Sequence, residues 1–223
     1  MSQIALIIIE LFLCLFTLLF LYKRYGNIGV YTYCIVCMIL SGIMALKTIT
    51  LYNYDIPLGI IPFVSLFTAS NILIQKNGTD ESKTLLLITT ISSIISFIII
   101  LLVSYMKSSN INLFMSASFD NIFSDSLRIY FATFVTTLYS LLLNLKLYYY
   151  LKKMKNNILI SNLFSTIIIH FVSSILFGLI AYTFDKEIID IIKIIMIRYL
   201  VSLCVGVIST IIIYITKFIK IKD

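Results

Sequence analysis

Of the chain's 223 residues, 61% are hydrophobic and only 12% are charged, and the mean hydropathy is +1.07. Soluble domains carry roughly 25% charged residues, so this composition cannot clothe a water-facing surface and is read as a polytopic membrane protein whose constant partner is the lipid bilayer. The formal charge of +7 would suit nucleic acid in a soluble protein. In a membrane protein such an excess marks cytoplasmic loops rich in Lys and Arg, and no nucleic-acid partner is expected.

A helix needs about 20 apolar residues to cross the hydrocarbon core. Taken in chain order, seven runs qualify: 4–22, 28–46, 56–74, 85–106, 128–151, 158–183 and 194–218. The first run lacks a basic front end and contains Glu10, so it is not read as a cleavable signal. The second holds Cys34 and Cys37 at redox spacing. No thioredoxin-like βαβ context surrounds them and no second pair completes a zinc site, so these two, with Cys14 and Cys204, are read as small packing residues. Connections are short, which predicts an all-α bundle of six to seven transmembrane helices forming a single domain over 1–223. Only 107–127, KSSNINLFMSASFDNIFSDSL, is long enough to hold more. Phe114, Phe119, Ile122 and Phe123 there predict a short helix lying at the membrane interface.

Loop charge sets the expected orientation. With the N-terminus outside, the inner segments contain Lys23, Arg24, Lys76, Lys83, Lys146, Lys152, Lys153, Lys155, Lys217, Lys220 and Lys222, against Asp80, Glu81 and Asp223. The expectation is therefore N-terminus out and C-terminus in, across the plasma (inner) membrane. Tyr22, Tyr105, Tyr148, Tyr149 and Tyr182 near span ends fit an interfacial belt.

Within the apolar runs, polar residues recur at helical spacing. The third carries Ser70, Asn71 and Gln75; the fifth carries Thr133, Thr137, Ser140 and Asn144; the sixth carries Asn162, Thr166, His170 and Ser174, one turn apart each time. Such spacing places side chains on one helix face, and polar groups in hydrocarbon face a bundle interior or a wet cavity. Ser and Thr also have a plainer use, bonding to the preceding turn or letting helices approach. Asn71, Gln75 and Asn144 divide between interhelical glue and a binding site. His170, the only histidine in the chain, reads as a hydrogen-bonding contact to a ligand. A lone imidazole with no carboxylate or thiol beside it makes a poor metal site, so no metal or other cofactor is expected. Glu10 and Arg128, the latter at the outer mouth of the fifth run, read equally as anchors or gating charges.

No paired carboxylates, Asp-rich motif, HExxH or GxSxG occurs, so intramembrane chemistry lacks its acid, base or metal, and an enzyme is not expected. Amides, hydroxyls and one imidazole suit a small, largely uncharged solute that hydrogen-bonds. That is the lining of a transporter.

The stretch from Leu21 to Gly78, beginning LYKRYGNIGVYTY and ending SLFTASNILIQKNG, resembles the first half of the queuosine precursor transporter family, part of the vitamin uptake transporter group. There a short basic loop, a span ending in a Leu-Lys pair with a Thr, and a span ending in Thr-Asp-x-Leu-x-Glu-Lys-Tyr-Gly follow one another. Here the last pattern reads Ser70, Asn71, Leu73, Gln75, Lys76, Asn77 and Gly78. FDNIFSDSLRIYFATF is similar to a Phe-x-x-Ile-Phe segment leading to an Arg, here Arg128. NLFSTIIIHFVSS corresponds to a Ser-Thr-x-x-x-Gln-x-x-Asp span, and RYLVSLCVGVISTIIIYI to a span carrying Lys and Asp.

This resemblance implies import of a deazaguanine base or a similar nucleobase-like or vitamin-like solute, with Asn71, Gln75, Arg128, Ser140, Asn144, Asn162, Thr166, His170 and Ser174 as its binding residues. The alternative it implies is the substrate-binding subunit of an energy-coupled vitamin importer, with ATPase partners on separate chains; that module is possible but not required. The chain departs from the pattern where charge is concerned. Asn71, Gln75 and Asn144 replace acids of the family, Leu141 and His170 replace Gln, Ser173 replaces Asp, and Ser202 and Ser209 stand for the Lys and Asp of the last span. Amides keep the size and hydrogen-bonding capacity of carboxylates and remove their charge.

Overall fold

Gly26 turns the first long helix back on itself. In the computed structural model, which describes residues 3–51, 54–106, 113–125, 127–155 and 157–219, α1 (Gln3–Met44) is interrupted there at φ 57°, ψ −135°, a backbone state that a residue with a Cβ enters only under strain. Its two limbs run antiparallel: Leu13, Cys14, Thr17 and Leu21 face Thr32, Tyr33, Val36, Cys37 and Leu40 across an apolar crevice. The apolar runs 4–22 and 28–46 thus form a helical hairpin.

Between α1 and the next helix the chain makes a small antiparallel β-hairpin. Strand β1 (Thr48–Leu51) pairs with β2 (Tyr54–Pro57), Thr48 opposite Pro57 and Leu51 opposite Tyr54. The third span therefore starts later than the apolar run that predicts it. α2 (Ile60–Asn77) begins after Gly59, with Pro62 in its first turn, where a missing N–H costs nothing. Gly78, at φ 87°, separates it from α3 (Thr79–Ser104). There follow α4 (Leu113–Asp125), α5 (Leu127–Lys155), α6 (Ile158–Tyr182) and α7 (Ile188–Thr216). Asn157 caps α6, its side chain accepting from the N–H groups of Leu159 and Ile160 at 3.0 and 3.3 Å, the usual remedy for orphaned first-turn donors.

α1, α3, α5, α6 and α7 are each long and apolar enough to cross a membrane. α2 is different. Every residue from Ile60 to Ile74 is buried, with α1, α3, α5 and α7 packed around it. At 1.5 Å per residue its 18 residues cover about 27 Å, so the central helix passes through the bilayer without meeting lipid. With the two limbs of α1 counted separately and the enclosed α2 added, the bundle agrees with the expected six to seven transmembrane helices. The outer surface carries the bulk of the apolar side chains, among them Phe12, Ile28, Phe171 and Ile211, while Ser140, Asn144, Ser165 and His170 are buried. This inversion of the soluble pattern identifies a multi-pass membrane protein.

One end of the bundle carries the β-hairpin and the α6–α7 connection; the other carries Lys23, Arg24, Gly78 and Lys155. At the second end Lys152 donates to the final carbonyls of α2, reaching Ile74 O and Gln75 O at 3.2 Å each, a cation placed where a helix terminus favours one. Tyr31 bonds Glu81 and so ties α1 to α3. Within the segment 107–127, α4 supplies the expected short helix, with Phe114 and Ile122 exposed and Phe119 packed on Phe123 at 4.5 Å. Residues 107–112 and 126, and Lys220, Lys222 and Asp223 of the orientation argument, lie outside the described residues.

Gly26→Ala is expected to destabilise the protein by about 1–3 kcal/mol, the usual cost of a disallowed backbone state. Thermal unfolding in detergent measures it, with Gly78→Ala, at the exposed turn before α3, as a second positive-φ site.

Candidate functional site

Three asparagines from three helices bond directly to one another in the bundle interior. Asn144 Nδ2 (α5) donates to Asn71 Oδ1 (α2) at 2.8 Å. Asn71 Nδ2 donates to Asn162 Oδ1 (α6) at 2.7 Å, and Asn162 Nδ2 to Thr210 Oγ1 (α7) at 2.6 Å. Thr210 passes its proton to the Gly206 carbonyl of its own helix at 3.0 Å. All four side chains are buried. Asn71 and Asn162 each donate and accept while Asn144 only donates, so the chain of bonds runs in one direction through four helices. Ser70 extends it sideways, receiving Asn144 Nδ2 at 3.4 Å and meeting Ser82 of α3 at 2.8 Å.

One to two turns nearer the hairpin end lies a second layer, aromatic and cationic. His170 is buried on α6, edge-on to Phe67 with ring centroids 5.3 Å apart, and 6.3 Å from Phe63. Gly206 makes room for it: a Cβ at that position would collide with Thr166 Cγ2 and lie 3.2 Å from His170 Nε2. About two turns further along α7, Arg198 is buried, its guanidinium carbon 3.8 Å from the centroid of Phe177 and 5.0 Å from that of Phe63.

The sequence-predicted residues therefore divide. Asn71, Asn144 and Asn162 meet in the amide layer. Thr166 and His170 lie beside Gly206. Ser140 and Ser174 are buried one turn from Asn144 and His170, with no hydrogen-bond partner for either hydroxyl. His170 Nδ1, Thr136 Oγ1 and Asn144 Oδ1 are likewise enclosed and unpartnered. Gln75 is half-buried at the Lys152 end, its Oε1 enclosed without a partner. Arg128 stands apart. It pairs with Asp185 and lies over Phe184 at 5.8 Å, at the hairpin end and outside the interior layers. Most other hydroxyls are consumed locally: Thr133, Thr137, Thr89 and Ser173 donate to carbonyls three or four residues back.

Arg198 is the functional candidate that polar stripes do not reveal. Its signal is positional: it sits inside the apolar run 194–218 with no acid three or four residues to either side. Chemically the interior offers donors and acceptors without a nucleophile–base pair, an arrangement for holding a solute.

A bundle with a lipid-facing apolar surface and a layered polar interior belongs to the class of multi-pass membrane transporters. The family model described as "Putative vitamin uptake transporter" matches residues 57–216, and the chain belongs to that family. No curated protein and no solved structure matches it. The match opens at the end of β2 and closes at the end of α7, so it takes in every helix that contributes to the two layers.

Asn71→Leu is expected to cost about 1–3 kcal/mol, because it strands donor and acceptor groups of Asn144 and Asn162 in a dry interior. In a double-mutant cycle measured by unfolding in mixed micelles, Asn71→Leu with Asn162→Leu should cost less than the sum of the two, by at least about 0.5 kcal/mol.

Proposed function

We propose that this protein imports a planar, hydrogen-bonding heterocycle, a deazaguanine-type queuosine precursor or a similar vitamin-like compound, across the plasma membrane. What carries the reading is a set of unpartnered polar atoms on α5 and α6, His170 Nδ1 and the Ser140 and Ser174 hydroxyls, inside a member of an uptake family. Buried polar groups without partners are costly, and a solute with donor and acceptor edges would satisfy them. The phenyl rings of Phe63 and Phe67 beside His170 offer flat faces for a ring to lie against.

Transport would proceed by alternating access about this fixed region. The amide layer below it closes one route while the hairpin end opens, and the reverse. Arg128 and Gln75 then stand at the two mouths as gates. The hairpin end faces outward in this reading, since Lys152, Lys153, Lys155, Lys76 and Lys83 gather at the other end, and α4 rests at the outer interface.

Saturable uptake of a deazaguanine into reconstituted vesicles is the expected result, with His170→Leu lowering it at least tenfold at unchanged protein yield. Failure to take up any deazapurine, purine or vitamin-like base overturns the reading. Copurification with ATPase subunits would instead make the chain the solute-binding part of an energy-coupled importer. For orientation, a cysteine-free background carrying Lys186→Cys should react with an impermeant maleimide on intact cells, and one carrying Lys153→Cys should not.

A further inference from the structure

Arg198 is 2% exposed and its charge meets no anion among the described residues. The described ion pairs join Lys83 to Asp80, Arg128 to Asp185 and Lys193 to Asp190, and no hydrogen bond engages its guanidinium among the described residues. Phe177 and Phe63 flank it at 3.8 and 5.0 Å. A desolvated cation–π contact returns less than an uncompensated buried ion costs. Ring faces also leave the five N–H donors of a guanidinium unbonded. Something of opposite charge belongs there.

We propose that Arg198 anchors a single negative charge on the carried solute, which is therefore a planar monoanion, a ring bearing one carboxylate. This deepens the carrier reading and rests on it. The guanidinium fork matches a carboxylate in two parallel bonds. His170 lies close enough for the charge of Arg198 to act on it, and its unpartnered Nδ1 is available to the ring or to the second carboxylate oxygen. Phe63 neighbours both, its ring centroid 6.3 Å from that of His170 and 5.0 Å from the guanidinium carbon of Arg198, so an anion held by Arg198 would carry its ring toward Phe63 and the imidazole. One guanidinium balances one charge; a dianionic phosphate would remain half unpaired.

The hairpin end is the nearer approach to Arg198. A recess of about 170 Å³ is lined there by Asp55, Lys186, Tyr182 and Ile194, among others. Ile194 is one turn above Arg198, and Tyr182 packs edge-on against Phe177 at 5.9 Å. Asp55, the carboxylate of that recess, accepts from Thr50 Oγ1 at 2.8 Å and is engaged away from Arg198.

The test uses pairs of ligands that differ only in charge, offered to the whole protein in nanodiscs: nicotinate against nicotinamide, and a 7-deazaguanine bearing carboxylate against the same ring bearing carboxamide. At least one acid should bind tenfold or more tightly than its amide and raise the melting temperature. Arg198→Gln should abolish that preference and Arg198→Lys should keep part of it. The ligand-free Gln variant should melt no lower than wild type, since it removes an unpaired buried charge. If it fails to fold, the acid–amide ratio of wild type against Arg198→Lys decides. Acid and amide binding alike, or a preference that survives Arg198→Gln, overturns the proposal and leaves the carrier reading intact. The same melting shift given by chloride at equal concentration makes this an inorganic anion site and also overturns it. Binding of neither acid nor amide, together with no uptake of neutral bases, removes the carrier reading and this proposal with it.

Discussion

A polar side chain in hydrocarbon has no water to fall back on, so its partners must come from the protein or from what the protein holds. This constraint sorts nearly every polar residue of the bundle. Hydroxyls on α3, α5 and α7 take the cheapest solution, the carbonyl one turn back on their own helix. Amides cannot satisfy both ends that way and reach across helices, and the result is the run from Asn144 through Asn71 and Asn162 to Thr210. Groups left over after both solutions, His170 Nδ1 and the Ser140 and Ser174 hydroxyls among them, are where a solute has most to offer.

The same constraint explains why α2 sits in the middle. Its sequence mixes Ser65, Thr68, Ser70, Asn71 and Gln75 with apolar residues, and no face of it is free of one or the other for long. Such a helix is unhappy against lipid and comfortable only when enclosed. Enclosure by α1, α3, α5 and α7 lets Asn71 serve as the junction of the amide layer and lets Phe63 and Phe67, one and two turns away, wall the layer above. The α1 limbs, outside the family match, supply much of the lipid-facing surface. Their interior polar groups are few, and Glu10 is the notable one, half-buried and with one carboxyl oxygen unpartnered.

Hydropathy made the passes legible because a bilayer demands a fixed length of apolar chain, and that demand is local. The β-hairpin was not legible: Ile56 and Pro57 are apolar and join the third run without a break, so its start reads too early. Polar stripes pointed to α2, α5 and α6, and three of the stripe residues do meet. Which amide bonds which could not be read, since partner choice depends on helix rotation and packing. The two arginines show the limit most plainly. Arg128 follows an acidic loop and resembles a site residue, yet it spends its charge on Asp185. Arg198 lies inside the last apolar run with no acid near it in sequence, and it is enclosed. Only the packing of α6 and α7 around Phe177 tells them apart.

Amides rather than acids at positions 71 and 144 have a consequence for charge that reaches beyond the amide layer itself. A carboxylate accepts and cannot donate, so acids at positions 71 and 144 could not have formed a one-way run of bonds; they would have required cations or protons between them. With Asn71 and Asn144 the layer is neutral and leaves one acceptor, Asn144 Oδ1, unpartnered. It then offers nothing negative to the arginine on α7, which lies about 18 Å along its helix from Thr210 and has aromatic rings for neighbours. An interior whose amide layer is neutral and which holds an unpaired guanidinium carries a net positive charge when empty. The least costly way to discharge it is a guest that brings the missing negative charge and leaves with it, which makes occupancy, rather than any fixed ion pair, the electrostatically complete state of the bundle.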